Sequence, residues 1–193
     1  FVFYANEGQK LVGCPIPRRK LHPKDKGILV TRITVHRQKK SKFFALAQSE
    51  LGDVYKLTFM DGVLMVALLD TLPTANALNV SDKGMLFVAA EFGDHHLYQF
   101  LGIDLPDAPT CSSQGIAEQK GDELYSTATA VKLAPTFQPT ILNNLRKIFT
   151  IDNPSPTTAV LVGELAGNEV SPQIYTLTGR GPHSALRILR HGA

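Results

Sequence analysis

The densest concentration of chemically capable side chains in this 193-residue chain is Glu91, Asp94, His95 and His96. Carboxylates and imidazoles ligate divalent metals when they converge on one point. Neighbouring residues of a strand point to opposite faces, so His95 and His96 grip one ion only if the preceding turn extends through both. The expectation is therefore structural imidazoles satisfied near a hairpin end, and no metal site. Ser184 follows His183, but no GxSxG elbow surrounds the serine, and a neighbour in sequence is not a base in space. Gly179 and Gly181 lack the GxxxxGK[ST] frame of a phosphate loop and precede strand-like residues, which makes them turn glycines. Cys14 and Cys111 are the two cysteines. Without a CxxC or a nearby His they make no structural zinc site, and their single possible pairing is too sparse for a disulfide framework; a reducing, intracellular compartment fits them. No catalytic residue and no cofactor are expected.

Charge is the more informative chemistry. Residues 1–45 hold 11 of the 20 Lys and Arg against Glu7 and Asp25 alone, so the remainder is net acidic although the whole chain carries a formal +3. Arg18, Arg19, Lys20, Lys24 and Lys26, then Arg37, Lys39, Lys40 and Lys42, suit phosphates or an acidic protein surface. No aromatic residue lies between Tyr4 and Phe43, which disfavours a base-stacking platform. A second basic cluster holds Arg180, His183, Arg187 and Arg190. Strand alternation puts Arg187 on the face of Ala185 and Leu189, and Arg190 with Leu186 and Ile188. Charges so placed suit intramolecular pairs or a protein interface. The candidate partner-binding residues are thus Arg18, Arg19, Lys20, Arg180, Arg187 and Arg190.

The frame for these residues is legible from repetition. At 44% hydrophobic and 19% charged, with 15 Gly and 12 Pro, the composition excludes collagen, long coiled coil and full-length disorder, and no apolar run approaches a membrane span. The chain is long enough to bury a core without disulfide or metal staples. FFALAQSELGDVYKLTF (43–59) and MLFVAAEFGDHHLYQFLGI (85–103) share an apolar run, a Glu-x-Gly-Asp turn and an alternating run, with central glycines 41 residues apart. Each reads as a β-hairpin, because Gly supplies the positive φ of a tight turn and Asp tolerates turn geometry. QIYTLTGRGPHSALRILRHG (173–192) repeats the arrangement 88 residues after Gly93, with Ala185, Leu186, Ile188 and Leu189 in its returning strand. Hairpins at this spacing are those of four-stranded propeller blades. VALLDTLPTANALNV (66–80) links one hairpin to the next, and LRKIFTI (145–151) and TTAVLVGEL (157–165) flank a break at Pro154 and Pro156. Residues 104–139 read as a long loop or partly disordered insertion crossed by one strand at Tyr125–Leu133, and a short helical turn is expected near Thr140–Arg146. Cys14–Gly27 is irregular, its prolines keeping it out of a sheet centre. A few hairpins close no propeller alone, so further blades are expected outside a chain that starts at Phe1 in mid-pattern.

The strings CPIPRR (14–19), FFALAQSELGDVYKLTF, LFVAAEFGDHHLYQ (86–99) and GRGPHSALRILRHG (179–192) closely resemble the splicing factor 3b subunit 3 family. That family also takes in the large damaged-DNA-binding protein and the large cleavage and polyadenylation specificity subunit. The likeness runs from about Leu11 to Gly192 and is weakest over 104–139. What it implies is an all-β chain of three seven-bladed propellers. This piece, incomplete by itself, would hold the later blades of the first over 1–178 and, over 179–193, the strand leading into the second. The resemblance further implies a non-catalytic scaffold of the splicing factor 3b complex in the U2 small nuclear ribonucleoprotein, in the nucleus, supporting pre-mRNA splicing and branch-site recognition. Its partners would be the helical-repeat large subunit, the small subunits and the rest of its own chain, with mostly indirect RNA contact and no membrane. No interface residue transfers from the family. Two other readings stay open: a nucleic-acid-binding module using the basic 18–42 segment, and a ubiquitin-ligase adaptor like the damaged-DNA-binding relative. Fold alone does not separate them.

Overall fold

The computed structural model describes all residues except 5–11, 24–25, 39–41, 104–106, 115–126, 165–171, 180 and 191–193. A short ribbon, β1 (Val2–Tyr4) with β2 (Val12–Cys14), is followed by the two-residue β3 (Arg18–Arg19). Then comes an antiparallel meander of β4 (Val30–Arg37), β5 (Phe43–Ser49), β6 (Asp53–Met60) and β7 (Val63–Thr71). After Leu72-Pro73-Thr74 a second meander begins with β8 (Ala75–Ser81), β9 (Met85–Ala90) and β10 (His95–Phe100). An insertion holding β11 (Thr110–Ser112), α1 (Thr127–Leu133) and β12 (Thr136–Phe137) delays its fourth strand, β13 (Leu145–Ile151). A three-stranded sheet of β14 (Thr157–Gly163), β15 (Gln173–Thr178) and β16 (Ala185–Leu189) follows. The segment expected to lead into a further domain thus includes a strand hydrogen-bonded to β15.

All three repeated turns are hairpin turns between antiparallel strands, and their glycines adopt one conformation: φ is +86° at Gly52, +88° at Gly93 and +85° at Gly179. The left-handed region explains the glycines, but Gly52 answers a second demand. The Leu72 N–H donates to the Gly52 carbonyl at 2.9 Å, and a Cβ on Gly52 would lie 2.1 Å from the Leu72 oxygen. At Gly93 a Cβ would meet nothing within 4 Å.

Period-two alternation gives the first meander two apolar faces. Phe44, Leu46, Val54, Leu69 and Leu72 pack on one side against Ala75, Leu78, Leu86, Val88, Tyr98 and Leu145 of the second meander. Ala47, Tyr55, Leu57, Leu64 and Val66 pack on the other side against Cys14, Ile16, Cys111, Ala134 and Phe137. The first strands of the two meanders, β4 and β8, lie against each other.

The described residues of the insertion hold regular structure. β11 pairs antiparallel with β7, and β12 pairs parallel with β3, so 110–112 and 136–137 extend sheets begun elsewhere in the chain. The strand expected at Tyr125–Leu133 is instead helix α1 over Thr127–Leu133. Its Ala128, Ala130 and Leu133 suit a helix, Lys132 complements the C-terminal dipole, and Pro135 stops it. The helical turn expected near Thr140–Arg146 is also absent; β13 already starts at Leu145, its first amides taken by a carboxylate described below. No described helix is long and apolar enough to cross a membrane.

Two predictions follow from this packing. Gly52→Ala should cost about 3–4 kcal/mol, combining left-handed strain with overpacking on the Leu72 carbonyl, whereas Gly93→Ala should cost about 1–2 kcal/mol from the strain alone; denaturant unfolding of the full-length chain measures both. Cys14 and Cys111 are free and buried, and burial pushes each thiol up from 9.0 to about 12. Burial thus favours the neutral thiols, so their contribution to stability is intact below pH 9 and falls as pH rises towards 12. Neither should react with iodoacetamide at pH 8 until the fold is unfolded, as intact-mass analysis would register.

Candidate functional site

The basic residues of CPIPRR are positioned by its prolines. Pro15 and Pro17 are fully buried, and Cys14–Arg18 runs as a continuous buried segment into β3. Parallel pairing with β12 sets Arg18 opposite Thr136 and Arg19 opposite Phe137, with the Arg18 N–H on the Pro135 carbonyl and the Lys20 N–H on that of Phe137. Arg18 is 7% exposed, and its Nη2 donates to the carbonyls of Pro23 at 2.9 Å and Lys26 at 2.7 Å. Arg19 forks onto Asp53, Nε to Oδ2 at 2.7 Å and Nη2 to Oδ1 at 2.8 Å, and Nη2 also donates to the Leu51 carbonyl. Asp53, 1% exposed, accepts the Thr71 hydroxyl as well, while its own N–H donates to the Ser49 hydroxyl. The hydrogen bond it donates to Asp53 holds the Arg19 guanidinium above its ordinary range. Arg19 therefore clasps the N-terminal segment to the Glu50–Asp53 turn, while Arg18 ties together the loop that follows β3.

The other candidates are dispersed. The Lys20 side chain is exposed. Arg187 is half-buried and lines a groove of about 530 Å³ with Phe92, Pro156 and Pro182. Arg190 is exposed, and Arg180 lies outside the described residues. Lys20 follows β3, whereas Arg187 lies on β16, and these strands belong to different sheets. Of the basic 18–42 segment, Lys26, Arg37 and Lys42 are exposed, Arg32 donates to the Asn76 carbonyl and side chain, and Lys24, Lys39 and Lys40 lie outside the described residues.

β10 starts at His95, so the strand runs through both histidines and their rings leave on opposite faces. His96 sits edge-on to Tyr98 with its Nδ1 3.3 Å from the Thr150 hydroxyl. Burial, then the nearby Lys147, holds His96 below its ordinary value. His95 packs edge-on to Phe87, and its buried Nδ1 has no hydrogen-bond partner among the described residues, contrary to the satisfied imidazole expected there. Asp94 accepts the Asn153 N–H at 3.1 Å. Among the described residues no group of three His, Cys, Asp or Glu is placed to hold a metal.

Three buried polar residues that sequence reasoning passed over tie the meanders together. Gln48 donates to the Pro73 carbonyl and accepts the Ala75 N–H, each at 2.9 Å, fixing the link between the sheets. Asp70 accepts three successive backbone N–H groups, from Asn143, Asn144 and Leu145, at 2.8–2.9 Å. Burial pushes its carboxyl above the ordinary value and these donors pull it partly back. Asn144 adds a bond from its side-chain amide to the Leu69 carbonyl. The available signal was a polar residue inside an apolar run, as Gln48 in FFALAQS and Asp70 in VALLDTL.

Antiparallel four-stranded meanders, stacked face to face with their first strands side by side, are the blades of a β-propeller. A family model described as the RSE1/DDB1/CPSF1 first beta-propeller matches residues 1–138, and the chain belongs to that family. Relatives align along essentially all of it. Spliceosome-associated protein 130 A of Arabidopsis thaliana is 40% identical over 198 aligned positions, splicing factor 3B subunit 3 of Danio rerio 37% over 200, and pre-mRNA-splicing factor rse1 of Neurospora crassa 33% over 208. These alignments cover 99–100% of the chain but only 15–16% of each relative.

Arg19→Ala should cost about 3 kcal/mol, since it strands the buried Asp53 carboxylate. Arg19→Lys should recover only part of that, because an ammonium cannot reproduce the fork. Lys20→Ala should stay within about 0.5 kcal/mol of the parent. Urea unfolding of the full-length chain would rank the three.

Proposed function

We propose that this chain is part of a non-catalytic scaffold of the splicing factor 3b type, acting in the nucleus in pre-mRNA splicing and supporting branch-site recognition by holding protein partners. The observation that carries this reading is identity of 37–40% along the whole chain to relatives named splicing factor 3B subunit 3 and spliceosome-associated protein 130. The geometry is in keeping with it. Blades locked to one another by Gln48, Asp70 and Asn144 present their turns in fixed relative positions, so docking orders little of the surface. On this reading the helical-repeat large subunit and the small subunits of the complex are the partners. Lys20, Arg187 and Arg190 are the contact candidates, while Arg18 and Arg19 hold the frame.

The nucleic-acid reading is weakened by where the basic side chains go. Arg18, Arg19 and Arg32 are spent on carbonyls and a carboxylate of their own chain, which leaves fewer cations to meet phosphates.

Purification of the tagged full-length chain should recover a helical-repeat large subunit in near-equal amount, quantified by mass spectrometry. Recovery of ubiquitin-ligase subunits instead would establish the adaptor reading, and RNA crosslinks at Arg37 or Lys42 without protein partners the nucleic-acid one. The combined Lys20→Glu, Arg187→Glu and Arg190→Glu variant should lower large-subunit recovery about fivefold without altering the melting temperature; undiminished recovery would remove these three from the interface.

A further inference from the structure

Leu21 and Ile141 are the most exposed large apolar side chains among the described residues, at 89% and 86%. Ile33, Val35, Val160 and Leu186 are also exposed, but on the faces of strands, which stacked sheets cover. Leu21 and Ile141 instead crown turns, where Gly, Asn, Asp, Ser and Pro are the usual residues. Leu21 sits in the turn closed by the His22 N–H on the Arg19 carbonyl, and Ile141 in the one closed by Asn143 Nδ2 on the Thr140 hydroxyl. Turns at the ends of sheets lie outside the stack, so blade packing leaves them uncovered.

Both turns are anchored around the Glu50–Asp53 hairpin turn. Arg19 reaches the Leu51 carbonyl and the Asp53 carboxylate, which fixes the chain two residues before Leu21. Leu29, 66% exposed, exchanges bonds with Glu50: its carbonyl accepts the Glu50 N–H at 2.9 Å, and its N–H donates to Glu50 Oε1 at 3.3 Å. Ile141 lies between Phe137, set opposite Arg19, and Asn143, whose N–H donates to Asp70 opposite Val54. Three large aliphatics from separate segments thus gather around one turn. Lys20 and Lys26 are exposed on the Leu21 side. Against them stand Glu50, whose Oε1 is turned to the Leu29 amide, and Asp107, which lines a groove with Thr140 on the Ile141 side. Main-chain carbonyls of the loop are met internally, Pro23 and Lys26 by Arg18, Gly27 by His22 and Leu29 by Glu50. Recognition here therefore falls to side chains rather than to an added strand.

We propose that Leu21, Leu29 and Ile141 form a docking surface for an amphipathic helix of a partner protein, apolar on one face and acidic along the flank that meets Lys20 and Lys26. A helix delivers apolar side chains at i, i+3, i+4 and i+7 as a patch rather than a line, which suits aliphatics contributed by three segments. The cations select an acidic flank over a basic one, and the anchored loops give up little freedom on docking. The inference goes beyond the scaffold reading and stands on these loops whichever complex the chain serves.

The test uses the full-length chain and two fluorescein-labelled amphipathic peptides of about 18 residues. One repeats Leu at i, i+3, i+4 and i+7 with Glu and Gln elsewhere; the other carries Lys in place of Glu. Fluorescence polarisation should show the Glu peptide binding about tenfold more tightly than the Lys peptide. The combined Leu21→Ser, Leu29→Ser and Ile141→Ser variant should weaken the Glu peptide about tenfold at an unchanged melting temperature, and Lys20→Gln with Lys26→Gln about threefold. Absence of binding, equal binding of the two peptides, or a triple variant that binds like the parent overturns the proposal. Should the triple variant fail to fold, hydrogen exchange of the parent decides: the Glu peptide is expected to slow exchange over 19–22 and 140–143, and unchanged exchange there overturns the site. Concentration-dependent dimers that the triple variant abolishes, with no peptide binding, would overturn it in favour of a second copy. Sedimentation with phosphatidylcholine–phosphatidylserine vesicles, again with no peptide binding, would overturn it in favour of a lipid surface.

Discussion

A sheet whose strands are apolar on both faces must be covered twice, and the rest of this structure answers to that constraint. In the first meander Leu46 and Ala47, or Val54 and Tyr55, are neighbours in sequence yet belong to different cores. One core demands a second sheet of similar size, which β8, β9, β10 and β13 provide. The other is filled by pieces of no common origin: the Cys14–Ile16 run, Cys111 and the Ala134–Phe137 stretch. The same rule applies to the last sheet, where Val160, Val162, Ile174 and Leu189 are exposed on one face and Leu161, Leu177, Leu186 and Ile188 on the other. Apolar surface of that extent on both faces belongs to a blade between neighbours.

Apolar burial alone leaves the stacked sheets free to slide, because it is indifferent to direction. Hydrogen bonds at the sheet ends remove that freedom. Gln48 fixes where the chain leaves one blade for the next, and Asp70 fixes where β13 begins after the long insertion. Both are buried polar groups with their partners met, so breaking either bond set would leave amides or carbonyls stranded in an apolar surround. The insertion can therefore be long without loosening the blade it interrupts: its exit is pinned at Asp70, and its strands are spent on the edges of β7 and β3.

The parts of this fold legible in the sequence were those written locally. Gly52, Gly93 and Gly179 announced hairpins because a positive φ is a property of one residue, and the alternation around them set the strands that flank each turn. The insertion was misread for the opposite reason. Thr127–Leu133 mixes helix formers with Thr and Val, so its propensity alone separates helix from strand weakly, while β11 and β12 are two or three residues long and exist only because β7 and β3 offer edges. The candidate site failed in the same way. Arg18 and Arg19 are basic in any count, but whether a guanidinium faces solvent depends on Asp53, 34 residues further on, and on carbonyls that no motif marks.

That failure has a physical content. Arginine is the residue best suited to be consumed internally, since its planar fork satisfies a carboxylate and a carbonyl at once, as Arg19 does with Asp53 and Leu51. Lysine's single ammonium is harder to bury and stays at the surface, as at Lys20, Lys26 and Lys42. A basic stretch rich in arginine thus overstates the field that a partner meets. What the described surface offers is scattered cations on a backbone held rigid by its buried ties. On such a surface the scaffold is already ordered, and in any docking the incoming segment is the part that gives up conformational freedom.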